Sequence, residues 1–474
     1  MRTLVWPREV RRQRAQSAGA AIPQALVVGW LRLAVASLAV AGLFAVLVAA
    51  ARTPVVQTLV GENYFRISLV GHVTFSLNVW LLSFAGALWA LALARLGIRC
   101  NEKAGGASLW LATVGAAIMA VASLAGRGVP SLVDYIPVLE APAFAAGLIA
   151  FLGGIGLGAV TFLVALRRAP QPLPTYAQAL RIGAVVYLLA IATLVTAVNT
   201  GWQGDWATVA WGPGHLLQLV NGASMIAAWL LLQGAPSVRF QAPLRAALPF
   251  LLTPALVVPV IYLLPGPIPK GVIGSVTWAA LAAPTVVAWL MVACGVLRER
   301  RWSALLSPLV ISLALFFAGA LAAALGLEGD TRVTAHYHAI VGAVTVALMG
   351  LTFHLIPPLG MRVRLPKLAC LQPAIYGSGL MLLIAGLFWA SSYGGQRKAF
   401  EAFALHSGVL GPMGLFGAGA ALAVGGGAAF VLVAGTSLLA RTRSIPVATA
   451  EPRPTVQRAT AGGELVTGDR NGRG

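Results

Sequence analysis

Two histidines stand two positions apart in the segment Asp330 to Pro358, which reads DTRVTAHYHAIVGAVTVALMGLTFHLIPP. Consecutive residues of an α-helix are rotated by about 100°, so His336 and His338 leave a helix in roughly opposite directions. They cannot hold one metal ion between them, but each can reach a different cofactor. Neutral imidazole is a preferred axial ligand of haem iron. The spacing therefore predicts one helix shared by two haems.

The composition indicates that this helix lies in a membrane. Of the 474 residues, 59% are hydrophobic and 10% are charged. Such a chain is too apolar for a water-soluble domain and is typical of a polytopic membrane protein. The three cysteines, Cys100, Cys294 and Cys370, form no CxxC or CxxCH pattern. The sequence therefore predicts no disulfide framework, zinc site or covalently attached haem.

Twelve apolar stretches predict an all-α integral membrane protein, since a helix of about 20 residues crosses a bilayer. We expect a basic N-terminal segment over 1–25, a haem-binding membrane domain over 26–440, and a disordered tail over 441–474 that is rich in Pro, Gly, Thr and Arg. The predicted spans lie near 26–50, 67–96, 106–125, 142–167, 180–200, 208–233, 245–264, 272–296, 303–326, 333–356, 375–394 and 411–440.

The loops between these stretches alternate in charge. One set carries most of the basic residues, including Arg95, Arg99, Arg298, Arg362 and Arg364, and the other set carries most of the acidic ones. The positive-inside rule places the first set in the cytoplasm. We therefore expect a multi-pass protein of a bacterial-type inner membrane with both termini in the cytoplasm. The net charge of +20 is then mainly a determinant of topology, and we expect no nucleic-acid partner.

In this topology four of the six histidines fall at one depth, toward the outer face. They are His72 in span two, His215 in span six, and His336 and His338 in span ten. One intramembrane histidine is more often a hydrogen-bonded core residue than a ligand, but four at one level favour a site. A transporter with incidental histidines fits less well, because transporter sites favour broken helices near the midplane.

The residues at this level resemble subunit I of the haem–copper oxidase superfamily, and most closely its cbb-type oxidases and nitric oxide reductases. The resemblance covers nearly the whole chain as twelve spans. His336-Tyr337-His338 is similar to the family's His-x-His in span ten. The resemblance implies that His336 holds a high-spin, gas-binding haem, and that His338 holds a low-spin haem.

Two other segments extend the resemblance. RISLVGHVTFSLNVWLL, from Arg66 to Leu82, is similar to the family's second span, which implies that His72 is the other ligand of the low-spin haem. WGPGHLLQLVN is similar to the sixth span, whose histidine normally binds the copper beside the high-spin haem. That role implies a copper-B position at His215. Both haems are expected to be b-type.

Span seven departs from the family pattern. The chain reads YLLPGPIP from Tyr262, so Ile268 and Pro269 stand where the cbb-type oxidases have two further copper ligands. His215 alone does not hold copper against water, because such sites need several convergent ligands. We therefore predict that copper B is absent. Tyr262 is similar to the family's catalytic tyrosine, but a membrane-interface tyrosine is an equally good interpretation.

Charged residues near the outer face have two interpretations. Arg397 and Lys398 resemble the family's basic pair that binds haem propionates, and an ordinary pair of loop charges fits equally well. For Asp330 we favour a helix-capping role. Almost no carboxylates or lysines lie inside the spans, which argues against strong proton pumping.

Three functions fit these residues. The first is a respiratory oxidoreductase like cytochrome c oxidase or nitric oxide reductase, with a small gas at the haem of His336. Electrons would come from cytochrome c or a cupredoxin, with accessory subunits and membrane lipid as further partners. The second is a non-catalytic electron-transfer cytochrome in which His215 caps the second haem. The third is a gas-sensing, assembly or structural membrane protein with one haem or none.

Overall fold

A computed structural model describes residues 21–51, 61–200, 205–234, 238–298, 308–327, 329–395, 397–398 and 410–440. The described residues are almost entirely helical. Their helices are α1 (Ala21–Ala51), α2 (Glu62–Val73), α3 (Trp80–Leu96), α4 (Glu102–Leu124), α5 (Pro142–Leu166), α6 (Thr175–Asn199), α7 (Trp206–Gln233), α8 (Val238–Ala247), α9 (Leu252–Leu263), α10 (Lys270–Arg298), α11 (Pro308–Ala324), α12 (Thr331–Leu355), α13 (Pro366–Ser391) and α14 (Leu410–Leu439).

Two shorter helical segments interrupt this series. A π-helical segment, Thr74–Val79, joins α2 to α3, so that Glu62–Leu96 runs as one span. A 3₁₀ segment, Leu248–Leu251, joins α8 to α9. π-Helical segments are rare and often lie at functional sites. This one begins two residues after His72 and was not predicted from the sequence.

Eleven helices of the described part are long and apolar enough to cross a membrane. A twelfth apolar helix, α11, is shorter and follows residues 299–307, which lie outside the described part. The elements match the predicted spans in order, which confirms the all-α membrane fold. The first unit of the chain ends at Ala440. The predicted basic segment 1–25 lies almost wholly outside the described residues, as does the predicted tail 441–474.

Local signals fix where several helices begin and end. The side chain of Asn101 accepts a hydrogen bond from the Ala104 amide at 3.1 Å and caps α4. Asp330 accepts one from the Arg332 amide at 2.8 Å and caps α12, so the predicted capping role is confirmed. Such caps satisfy amides that lack a partner inside the helix. Gly97 ends α3 with a φ of +68°, a conformation that glycine adopts without strain.

Three spans are much more enclosed by protein than the rest. Within their most apolar windows, 89% of residues are buried in Glu62–Leu96, 89% in Trp206–Gln233 and 72% in Thr331–Leu355. The other eight candidate spans of the described part range from 33% to 44%. A helix that faces lipid keeps one side exposed, whereas a helix inside the bundle does not. The three inner spans are those that carry His72, His215, and the pair His336 and His338.

The sequence analysis missed one element. A two-stranded antiparallel hairpin, β1 (Val129–Ser131) and β2 (Val138–Glu140), lies between α4 and α5, with Val129 paired to Glu140 and Ser131 to Val138. Strands of three residues are too short to show a clear alternating pattern. Residues 132–137, here called the hairpin tip, connect the strands. Ile136 in this tip is only 2% exposed, and residues 132–135 are half-buried.

Candidate haem and ligand site

Four imidazoles of the inner spans share one hydrogen-bonding arrangement. In each, Nδ1 lies 2.7–3.0 Å from a main-chain carbonyl oxygen. A carbonyl can only accept a hydrogen bond, so Nδ1 carries the proton and Nε2 keeps its lone pair. This is the tautomer that a metal ligand needs, with the ring oriented by its second nitrogen. The pairs are His72 with Ala41, His215 with Trp211, His336 with Gly319, and His338 with Thr334.

His336 and His338 leave α12 in different directions, as their spacing predicts. His336 donates to the Gly319 carbonyl of the neighbouring α11 at 2.8 Å. His338 donates to Thr334 of its own helix at 2.8 Å. The imidazoles of His338 and His72, from two different helices, lie close enough for their charges to interact. The structure therefore places His72 and His338 on two enclosed spans within electrostatic range of each other, and directs His336 toward another neighbour.

These residues fit haem by the chemistry of their donor set. Bis-histidine ligation needs two neutral imidazoles from separate helices, each with a free Nε2. His72 and His338 meet this requirement, and His336 offers a third oriented imidazole. All three are half-buried side chains on spans that are otherwise enclosed. A ring that keeps some accessible surface inside a packed bundle is suited to line a cofactor site.

His215 has different surroundings. Its ring lies 4.5 Å from the ring of Trp211 and 4.7 Å from that of Tyr135, measured between centroids. Its Nε2 faces Gly274 of α10, where a Cβ atom would lie 3.7 Å away. Within the described part of the chain, no group of three or more His, Cys, Asp or Glu side chains could hold a metal ion. The neighbours of His215 are thus aromatic rings and a glycine.

Ile268 and Pro269 lie in the loop between α9 and α10. Ile268 is half-buried and Pro269 is exposed. The loop is tied to α7, because the indole nitrogen of Trp211 donates to the Lys270 carbonyl at 2.9 Å. The loop therefore reaches the helix of His215, but with side chains that cannot bind a metal.

Tyr262 is inserted into the hydrogen-bond ladder of α7. Its hydroxyl donates to the Thr208 carbonyl at 2.7 Å and accepts from the Gly212 amide at 2.9 Å. In an uninterrupted α-helix these two backbone groups would bond to each other. The phenol therefore holds α9 against α7 and opens the latter locally. The prediction that Tyr262 is catalytic stays a prediction.

The hairpin tip reaches all three inner spans, through the backbone or the side chain of Tyr135. The Asn78 amide nitrogen donates to the Tyr135 carbonyl at 2.8 Å, and the Tyr135 hydroxyl lies 3.0 Å from that of Tyr337. Its ring packs edge-on against His215. Gly214 leaves room for this contact, since a Cβ there would lie 2.7 Å from the Tyr135 Cβ. Tyr135 is thus a site residue that the sequence analysis missed, because a loop tyrosine carries no local signal of its position.

Further hydrogen bonds hold the same tip. The Trp206 indole donates to the Ile136 carbonyl at 2.9 Å, and the Thr74 hydroxyl contacts the Pro137 carbonyl at 3.4 Å. Tyr135 has a φ of +70°, which is unfavourable for a residue with a bulky side chain. Such a conformation costs on the order of 1–3 kcal/mol and persists only when the surroundings enforce it.

Arg397 and Lys398 both pair with a carboxylate of the hairpin tip. Arg397 forms an ion pair with Asp134, and the Lys398 ammonium lies 2.8 Å from the same carboxylate. Lys398 also donates to the Leu132 carbonyl at 2.6 Å. Burial raises the pKa of Asp134, but the hydrogen bond from Lys398 and the two positive charges outweigh it and lower the net pKa. Two cations against one anion leave one positive charge uncompensated.

Comparison with solved structures identifies the class of fold. The structure resembles that of a heme-copper terminal oxidase dimer, with a TM-score of 0.73 over 89% of this chain and 85% of that chain. The sequences are 16% identical over the match, so the likeness concerns the fold. The chain therefore has a haem–copper oxidase subunit I-like helical bundle, and its candidate spans are those of a multi-pass membrane protein.

Sequence comparison gives two curated relatives. An uncharacterized protein of Aquifex aeolicus is 29% identical over 357 residues, which cover 71% of this chain and 86% of the relative. The uncharacterized protein RP382 of Rickettsia prowazekii is 22% identical over an alignment of 498 positions, gaps included, which covers 86% of this chain and 95% of the relative. No protein-family model matches the chain.

Proposed function

We propose that the chain is a membrane di-haem b-type cytochrome that resembles the catalytic subunit of cytochrome c oxidase. In this proposal His72 and His338 hold a low-spin haem, and His336 holds a high-spin haem. When bound, the haems would supply electron transfer and the binding or reduction of a small gas, either dioxygen or nitric oxide. The enzyme class would be a respiratory oxidoreductase.

One observation carries the proposal. His72 and His338 stand on separate enclosed helices within electrostatic range of each other, and each keeps an Nε2 lone pair. The carbonyls of Ala41 and Thr334 orient the two rings. Ligands that are held before a cofactor arrives lose little conformational entropy on binding it. The surrounding apolar spans exclude water, which strengthens electrostatic contacts inside the bundle.

His336 would act as the single protein ligand of the second haem. Its hydrogen bond to Gly319 fixes the ring plane and raises the basicity of Nε2. Arg397 and Lys398 would contact haem propionates. Their pairing with Asp134 leaves one net positive charge for a carboxylate, which supports this role.

The proposal includes no normal copper-B site. Ile268 and Pro269 cannot supply ligands, and Trp211 and Tyr135 flank the remaining imidazole of His215. Tyr262 would be a hydrogen-bond donor to the site only if its proton left the Thr208 carbonyl. We also propose an inner-membrane location with both termini in the cytoplasm. A cytochrome c or cupredoxin donor and accessory subunits would be the partners.

Reduced-minus-oxidised absorption spectroscopy with metal analysis of the purified protein tests the proposal. We expect two b-type haems and no stoichiometric copper. His338→Ala should abolish the low-spin signal, and His336→Ala should abolish the spectral response to carbon monoxide. His354→Ala is the matched control, because His354 lies in the last turn of the same helix and should leave both signals intact. Retention of the low-spin signal in His338→Ala would refute the ligand assignment.

One observation favours a second candidate, a non-catalytic electron-transfer cytochrome. The Nδ1 of His215 also donates to a main-chain carbonyl, so its Nε2 is also free to bind iron. If His215 capped the second haem, both haems would be six-coordinate. Carbon monoxide would then leave the reduced spectrum unchanged, whereas the first proposal requires a shift.

A further inference from the structure

The phenols of Tyr135 and Tyr337 form a half-buried pair between the hairpin tip and the first turns of α12. Their hydroxyl oxygens are 3.0 Å apart, and their ring centroids are 5.8 Å apart at an interplanar angle of 85°. Tyr337 stands between the two histidines of α12, and its ring lies 5.6 Å from that of His336. Tyr135 packs against His215 on α7. The pair thus extends from the imidazole of His336 to that of His215.

The pair has one proton to spare. Two neutral phenols carry two hydroxyl protons, and the hydrogen bond between them uses one. Among the described residues, no protein atom accepts the other. A phenol has an ordinary pKa of about 10, so both hydroxyls carry their protons at neutral pH. A half-buried phenol whose proton has no protein acceptor can donate it to a polar ligand.

Tyr262 is less suited to this task, although its position in the sequence resembles that of a catalytic tyrosine. Its proton is donated to the Thr208 carbonyl. The available phenolic proton therefore belongs to Tyr135 or to Tyr337.

We propose that Tyr135 and Tyr337 form the hydrogen-bond donor for a small diatomic or anionic ligand bound between His336 and His215. This inference rests on the proposed function, because it takes the ligand to be held at the haem of His336. The donor would stabilise negative charge on the outer atom of that ligand. It would also make the hairpin tip a determinant of ligand affinity.

Carbon monoxide and cyanide are the probes for the test, applied to the purified full-length, haem-loaded protein. The variants are Tyr135→Phe, Tyr337→Phe and the double variant, which keep the rings and remove only hydroxyls. We expect the double variant to lose the H₂O/D₂O difference in the carbon monoxide stretching frequency. We also expect it to bind cyanide about three- to tenfold more weakly, the effect of one hydrogen bond. At least one single variant should show the same change.

Tyr187→Phe is the matched control. Tyr187 is fully buried on α6, and its hydroxyl donates to the Leu152 carbonyl at 2.7 Å. Loss of the Tyr187 hydroxyl should change the free energy of unfolding about as much as the Tyr135 and Tyr337 variants do, but it should leave ligand binding unchanged. If the double variant fails to fold, the two single variants carry the test, since each breaks the same bond from one end.

The outcomes separate this inference from the proposed function. If the wild-type protein shows no carbon monoxide response, the proposed function fails and this inference fails with it. If the wild type responds and the Phe variants match it in stretching frequency and cyanide affinity, only the phenol inference is overturned. A change confined to the low-spin haem spectrum would also overturn it, because the pair would then face the other site.

Discussion

The sites around His338 and His215 start from the same chemistry and differ in their neighbours. Both imidazoles donate from Nδ1 to a carbonyl four residues earlier in their own helix, at 2.8 and 2.7 Å. His338 has a second imidazole, that of His72, within electrostatic range on another helix. His215 faces the aromatic rings of Trp211 and Tyr135. An oriented imidazole is therefore common to both sites, and the residues opposite it decide what it can bind.

The difference also concerns what holds each site in place. The His72 and His338 pair is built by two helices that cross the bundle. The surroundings of His215 depend on a loop, because the hairpin tip supplies Tyr135. That tip is held by side chains from several elements, including Asn78, Trp206 and Lys398. Changes that loosen the tip should therefore affect the His215 site and leave the His72 and His338 site intact.

Replacement of the histidines themselves should give the largest effect. His72→Ala should remove the low-spin haem signal completely, because iron loses one of two axial ligands. His215→Ala should retain that signal at wild-type intensity. Reduced-minus-oxidised spectra of the two variants, normalised to protein, make the comparison. Loss of the low-spin signal in both would show that the two sites are not independent.

Asn78→Ala should destabilise the hairpin tip. The change leaves the Tyr135 carbonyl without its donor in a buried setting and should cost about 1–3 kcal/mol of unfolding free energy. Thermal unfolding in detergent measures the loss. Ser378→Ala is the control, since that exposed hydroxyl bonds only within its own helix. Equal stability of the two variants would contradict a structural role for the tip.

Asp134→Asn should weaken the connection between the tip and Arg397 by about 1 kcal/mol, because the partly exposed ion pairs are screened by solvent. The folded-state pKa of Asp134 is lowered. Its contribution is therefore present above the unfolded pKa of about 4 and is lost as pH falls through the folded value. Below about pH 4, the midpoint temperature of unfolding should fall with decreasing pH more steeply in the wild type than in the variant. If the unfolding midpoints of the two proteins change with pH in parallel, the proposed linkage to the Asp134 carboxylate is refuted.

Tyr262→Phe should have the smallest effect, about 0.5 kcal/mol, which is the low end for one hydrogen bond. The Gly212 amide and the Thr208 carbonyl, which now bond to the hydroxyl, can re-form their own helical bond after its loss. The carbon monoxide response should stay unchanged if Tyr262 serves structure alone. A large loss of ligand binding with normal stability would instead support the catalytic role predicted for Tyr262.

The sequence by itself determined the membrane fold, the order of its helices, the cap at Asp330, and the opposite directions of His336 and His338. These features follow from local composition and from the fixed rotation per helical residue. Only the tertiary structure decided which side chains meet. It placed Tyr135 against His215, paired Asp134 with Arg397 and Lys398, and inserted the Tyr262 hydroxyl into α7. The physical reason is that each contact joins residues distant in sequence, whose meeting depends on the packing of the whole bundle and not on any local pattern.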